Sequence, residues 1–159
     1  MLTVSAGAGE KDVLDYVNTF IGTSSMGHVF PGACVPHGGV QLSPDTEAAP
    51  FYRDGKYNSE TYRYCAGYQY GDPTIVGFSH THLSGTGHSD LGDILMMPTS
   101  GEVSLEPGTV ENPGYRSRFS HDTEKAVPGY YEVYLEDSGV KAQLTATKRT
   151  GVHKYTFRE

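Results

Sequence analysis

The chain has no tryptophan, only two cysteines, and no apolar run approaching the roughly 20 residues that a membrane-spanning helix needs. Cys34 and Cys65 match the spacing of neither a zinc module nor a dense disulfide framework; one bridge stays open, and a pair of small buried thiols is the favoured reading. Basic residues are also scarce, 12 against 19 acidic for a formal net charge of −7, and they are spread out, not gathered into a stripe. That distribution argues against nucleic acid as a partner. The first dozen residues have neither a basic n-region nor a long apolar h-region, so no signal peptide is visible. The G-x-S-x-G elbow, the Walker loop, C-x-x-C and the dinucleotide G-x-G-x-x-G are missing too, which argues against several common hydrolase, NTPase and redox classes.

What is present is glycine, 20 residues against an average share of about 7%, with 9 prolines. Such a chain is dominated by turns and loops. Its 12 tyrosines, with scattered valine and threonine, favour strands. At 159 residues it has room for one domain able to bury roughly two-thirds of its unfolded surface.

Residues 1–10 read as a disordered leader, followed over residues 11–21 by a short helical turn placing Val13, Leu14 and Val17 on one face. Residues 22–45 read as a long ordered loop in which only Val40-Gln41-Leu42 resembles a strand. Residues 48–64 lack any period and are assigned as loop. Short strands are expected at 65–70 and 74–81, separated by Gly71-Asp72-Pro73, and then at 101–105 and 115–120. The clearest alternation comes last. Tyr131, Val133 and Leu135 share one face, then Val140, Ala142, Leu144 and Ala146, with turns at 137–139 and 150–151 and a third strand over 152–158. A meander that stops on its last strand leaves an edge uncovered, so the expected fold is an all-β antiparallel sandwich, incomplete at its C-terminal end.

The chemistry concentrates in residues 75–98, IVGFSHTHLSGTGHSDLGDILMMP. If 80–82 is extended, His80 and His82 project the same way, the spacing of a two-histidine metal pair or of two groups lining a sugar pocket. Ser84-Gly85-Thr86-Gly87 supplies a turn whose bare amides a ligand can approach. His88, Asp90 and Asp93 follow, able to bind metal, orient a hydroxyl-rich ligand or cap the next element. The two carboxylates are hard ligands and suit calcium better than zinc. His28, Phe30 and His37 stand among the glycines of the first loop.

Five blocks carry a resemblance: VNTFIGT at 17–23, GHVFPGACVPHGGVQLSPDT at 27–46, CAGYQYGD at 65–72, GFSHTHLSGTGHSDLGDILMMPT at 77–99 and PGYYEVYLEDSGVKAQLTATKRTGVHKYTF at 128–157. In order and over nearly the whole chain, they resemble glycoside hydrolase family 92, calcium-dependent exo-acting α-mannosidases. The resemblance implies an N-terminal β-sandwich, of which residues 11–159 are the first part, joined to a C-terminal (α/α)6 domain not contained in this chain. It implies inverting hydrolysis of terminal α-linked mannose on N-glycans or mannans, with the acid, the base and most calcium ligands on that helical domain. This chain alone is then expected to be inactive, holding no catalytic residue and no metal ligand. It would supply the sandwich's side of the pocket: His82, Ser84, Thr86, His88 and Asp90 nearest the sugar, Asp93 supporting the loop, and Phe30 giving an apolar contact. Partners are then mannose-containing glycans and the helical domain, and the location is secreted, periplasmic or at the cell surface. Many members have a tryptophan just before the CSGYHY-like block where this chain has Thr61-Tyr62-Arg63-Tyr64, so stacking on the sugar falls to a tyrosine.

Two other readings stand beside this one. A self-standing carbohydrate-binding β module predicts sugar binding without catalysis, and a metallohydrolase built on His80, His82 and His88 predicts stoichiometric zinc.

Overall fold

The computed structural model describes residues 12–48, 52–88 and 91–158. The leader expected at 1–10 lies outside the described residues. The elements run as a 3₁₀ turn Val13–Tyr16, β1 Ala33–Cys34, β2 Gln41–Asp45, β3 Tyr52–Arg53, β4 Lys56–Tyr57, α1 Glu60–Arg63, β5 Thr74–Ile75, β6 Gly77–Ser79, β7 Ser117–Arg118, a 3₁₀ turn His121–Thr123, β8 Lys125–Val127, β9 Tyr130–Leu135, β10 Val140–Ala146 and β11 Gly151–Phe157. All described sheets are antiparallel and helix is nearly absent, as an all-β sandwich requires.

The largest sheet has the order β11-β10-β9-β8 and a smaller one the order β1-β2-β6; β3-β4 and β5-β7 are two-stranded pairs. Period-two alternation sets the register of the large sheet. Val140 faces Leu135, Ala142 faces Val133 and Leu144 faces Tyr131, all on its buried side. Against that face the small sheet and its neighbours place Ala33, Leu42, Ile75, Phe78 and Tyr68 in one continuous core, with the Phe78 and Tyr131 rings 6.4 Å apart. Burial of these side chains, at about 25 cal/mol per Å² of apolar area, is what joins the layers.

The three final strands match the sequence expectation to within a residue or two; several earlier assignments do not. No strand forms at 65–70, because the chain leaves α1 through Tyr64 and turns at Gly67, whose φ of +79° breaks an extended run. The segment assigned as loop at 48–64 holds the β3-β4 hairpin, turned on Asp54 and Gly55 with φ of +52° and +74°, and then the single turn of α1. The expected strand at 101–105 is absent and leaves Val103 and Leu105 exposed, and the strand at 115–120 shortens to β7. The first turn forms at Val13–Tyr16, capped by the Asp12 side chain, and Val13, Leu14 and Val17 are exposed. Cys34 and Cys65 form no disulfide, and only one of the thiols, that of Cys65, is buried.

Candidate functional site

The histidine-rich segment leaves the small sheet at the end of β6 and returns along residues 91–96, so residues 80–88 and 91–93 rise from a closed base. The base is made first by backbone. Phe78 and Met96 exchange N–H···O bonds of 2.9 and 3.0 Å, the His80 N–H donates to the Asp93 carbonyl at 3.0 Å, and the Gly92 N–H donates to the Thr81 carbonyl at 2.9 Å. Side chains then lock it. Thr81 Oγ1 donates to Asp93 Oδ2 at 3.0 Å and accepts the Asp93 and Gly92 N–H groups at 2.9 and 3.2 Å.

His82 is directed inward. Its side chain is 2% exposed, Nδ1 lies 2.7 Å from the Gln41 carbonyl, and Nε2 lies 3.1 Å from Asp45 Oδ1 and 3.0 Å from Ser79 Oγ. Asp45 spends its second oxygen on the Ser79 N–H at 3.1 Å. A carbonyl and a carboxylate can only accept, whereas the Ser79 hydroxyl can accept or donate, so a doubly protonated ring paired with Asp45 satisfies all three contacts. Burial pushes the imidazole pKa down, but the Asp45 charge, the Asp45 hydrogen bond and the Gln41 carbonyl outweigh it, and the net direction is up. Phe30 covers the ring at a centroid distance of 5.4 Å. Gly67 makes the pair possible, since a Cβ there would overlap Asp45 Oδ1 and come within 3.0 Å of His82 Nε2.

The outer part of the loop rests on the first glycine-rich loop. The Gly85 N–H donates to the His28 carbonyl at 2.7 Å, and Gly87 packs on the Tyr62 ring. His28 is buried at φ +49°, its ring edge-on to Tyr62 at 4.9 Å and its Nε2 without a hydrogen-bond partner. Ser84 and His88 are exposed, and Thr86 is half-buried, its Oγ1 accepting the His88 N–H at 3.2 Å. Asp90 lies outside the described residues. Below the loop, a cavity of about 180 Å³ is lined by Asp45, Tyr64, Cys65, Gly67, His82 and Leu95, among others. Burial and then the neighbouring Asp72 push the Tyr64 phenol well up, so it stays neutral.

The structure thus brings Phe30 and His82 together in the support, sets Asp93 at the base, and leaves Ser84, Thr86 and His88 on the outer limb. His80 and His82 do not project together: β6 ends at Ser79, so strand alternation does not extend to them, and His80 reaches His153 while His82 reaches Asp45. Among the described residues no group of three or more His, Cys, Asp or Glu side chains converges as a cation's ligands would. The described side chains therefore do not fit a calcium or zinc ion. His37, in the first loop, is exposed. Sequence reasoning missed Gln41, Asp45, Gly67 and Ser79, which carry no motif of their own.

A small and a large antiparallel sheet, with a braced polar loop rising from the small one, define the chain as a β-sandwich domain. The glycosyl hydrolase family 92 N-terminal domain model matches residues 16–159, and the chain belongs to that family. The family 92 α-mannosidase BT3965 of Bacteroides thetaiotaomicron, solved in complex with mannoimidazole, is 50% identical with a TM-score of 0.84, covering 94% of this chain and 18% of its own. The inverting mannosidase BT2199 of the same organism is 28% identical with a TM-score of 0.64, over 94% of this chain and 19% of its own. A protein of Arthroderma benhamiae described as an uncharacterized secreted glycosidase is 30% identical over 93% of this chain and 18% of its own length. The chain therefore spans under a fifth of the length of these relatives.

Proposed function

We propose that this chain is the N-terminal part of an exo-acting glycosidase that removes terminal α-linked mannose from N-glycans or mannans, and that its loop 80–93 forms one wall of the sugar pocket. The observation that carries the reading is the bracing of that loop. Two independent locks, His82 with Asp45 below and Thr81 with Asp93 at the base, hold an outer limb rich in hydroxyl, imidazole and bare amide groups. A rigid polar loop of this kind suits a ligand recognised by many hydroxyl groups, because its donors and acceptors need no reordering on binding.

In this reading Ser84, Thr86, His88 and Asp90 face the sugar, Phe30 and His82 hold the loop from beneath, and Asp93 fixes its base. Hydrolysis proceeds with inversion, through a carboxylic acid that protonates the leaving oxygen and a carboxylate that activates water across roughly 6.5–9.5 Å. Both carboxyl groups, and most of the ligands of a calcium ion, are assigned to a helical domain outside this chain. That a related mannosidase was solved with mannoimidazole and another is described as inverting supports the substrate class and the stereochemistry. A location outside the cytoplasm is supported by the relative described as secreted.

The test is release of mannose from α-linked mannobioses and a high-mannose N-glycan by the full-length protein, before and after chelation and with calcium restored. Calcium-dependent release of β-mannose as first product is expected. No release from any α-mannoside overturns the reading, and sugar binding without release identifies a binding module instead.

A further inference from the structure

His80 and His153 come from segments 73 positions apart, and their Nε2 atoms meet at 3.0 Å. His80 Nδ1 lies 2.9 Å from the Ile94 carbonyl and must donate to it; with the ring neutral, His80 Nε2 is then an acceptor. His153 supplies the proton from its own Nε2, and its Nδ1 accepts the Tyr155 hydroxyl at 2.7 Å. The result is one continuous chain of bonds, Tyr155 to His153 to His80 to Ile94, in which every ring nitrogen is satisfied with no charge. It crosses from β11 to the base of the loop 80–93. The crossing is close because residue 151 is glycine, whose Cβ would stand 2.6 Å from His80 Cδ2 and 2.9 Å from its Nε2.

From this the geometry points to a proton-operated latch: a second proton on the His80–His153 pair parts the loop that carries the candidate site from the outer strand of the large sheet. One proton can be absorbed, because His153 can move its own proton to Nδ1, with the Tyr155 hydroxyl turned to accept, and leave Nε2 bare for a protonated His80. Two protons cannot. Both Nε2 atoms then carry hydrogen and two cations face each other at hydrogen-bond distance.

Among the described residues, no carboxylate contacts the pair to offset that repulsion. Facing it are the Tyr155 hydroxyl on β11, the apolar Leu144 on β10 and Leu42 on β2, and the Ile94 carbonyl of the returning chain. Asp93, one residue before Ile94, directs its carboxylate to Thr81, and Lys154 lies on the opposite, exposed face of β11. Burial, and then the charge of His80, hold the His153 imidazole below its ordinary range, with no carboxylate contributing. Burial pushes the Tyr155 phenol up to about 12, so it stays neutral throughout. A histidine whose pKa is lowered by folding contributes stability that is complete above about pH 6.5 and is lost as the pH falls through the lowered value. The latch is therefore closed at neutral pH and opens in acid. This inference concerns the loop's attachment and does not depend on what the loop binds.

The experiment is amide hydrogen exchange on the full-length protein at pH 7.5 and pH 5, with intrinsic rates corrected, comparing His80 and Gly92 at the loop base with Ala142 and Leu144 in the large sheet. In the wild type, protection at His80 and Gly92 is expected to fall about tenfold on acidification while Ala142 and Leu144 hold. His153→Gln keeps a donor but cannot take the second proton, and should abolish the pH effect; His153→Phe should leave the loop base loosened at both pH values. Constant protection in the wild type, an equal fall in the large sheet, or a fall that persists in His153→Gln would each overturn the latch. Should His153→Phe fail to fold, the wild-type and His153→Gln arms still decide it.

Discussion

Thr81 and Asp93 hold each other in both directions: the Thr81 hydroxyl donates to the Asp93 carboxylate at 3.0 Å and accepts the Asp93 N–H at 2.9 Å. The same oxygen also accepts the Gly92 N–H, so one atom gathers three groups of the returning chain.

Replacing that hydroxyl by a methyl group, Thr81→Val, preserves the side-chain shape and removes all three bonds. At about 0.5–1.5 kcal/mol of net value for each of the three hydrogen bonds, the loop base should open at least about tenfold more often. Amide exchange at Gly92 and Asp93 is expected to quicken while the melting midpoint of the fold moves little. In the full-length protein the Michaelis constant for an α-mannoside should rise with kcat nearly unchanged, as for a positioning defect; unchanged kinetics would separate the loop base from the sugar pocket.

The His82–Asp45 pair predicts a pH dependence of opposite sign to that of His153. His82 has its pKa raised by folding, so its contribution is full below about pH 6.5 and is lost as the pH climbs through the raised value. Asp45→Asn leaves a buried imidazole without its counter-charge and should cost about 3 kcal/mol in urea unfolding near pH 6. A double-mutant cycle with His82→Gln measures the coupling, which should shrink in alkali. Coupling that grows above pH 8 would show that the ring is neutral in the folded state.

Two glycines with nearly the same backbone angle separate conformational strain from collision. Gly55, at φ +74°, faces open space, whereas Gly67, at φ +79°, lies against Asp45 and His82. Gly55→Ala should cost about 1 kcal/mol, the expense of placing a Cβ in the left-handed region. Gly67→Ala adds the displacement of a buried ion pair and should cost at least about 2 kcal/mol more. Equal losses in chemical denaturation would mean that Asp45 moves aside freely.

How much of this was legible in the sequence depends on how local the determining force is. β9 and β10 were readable because alternate residues bury against one core, and that period is written in the chain itself. The strand expected at 65–70 failed because Gly67 turns for the sake of Asp45, a residue 22 positions earlier that no local pattern connects to it. The polar density of 75–98 coincides with the segment that departs from the sheet after β6. It did not show that His80 and His82 diverge, since their directions are set by His153 and Asp45, on strands far away in sequence. The β3-β4 hairpin was missed although its Asp54-Gly55 turn is visible, because strands of two exposed residues have no alternation to detect.

Glu124 offers a test of the core that is independent of the loop. Its side chain is 1% exposed, yet it accepts the Tyr68 hydroxyl at 3.0 Å, the Tyr131 hydroxyl at 2.6 Å and a proton from His121 Nδ1 at 2.5 Å. The His121 assignment follows from its other nitrogen, which lies 2.8 Å from the Tyr70 carbonyl, so both nitrogens face acceptors. Burial, reinforced by the Glu124 charge, drives both tyrosine phenols well above their usual range, so they act only as donors. Three side chains from three segments therefore converge on a single carboxylate. Glu124→Gln changes shape little, but its amide group brings two protons to a place where every partner already donates. Hydrogen bonds to a charged group are worth about 1.5–3 kcal/mol, and a loss at the top of that range is expected in urea unfolding. Tyr131→Phe, which removes one donor and leaves the carboxylate two others, should cost less than half as much. If the two variants lose the same stability, the carboxylate is not the centre of the cluster, and the Tyr131 ring packing on Phe78 accounts for its place in the core.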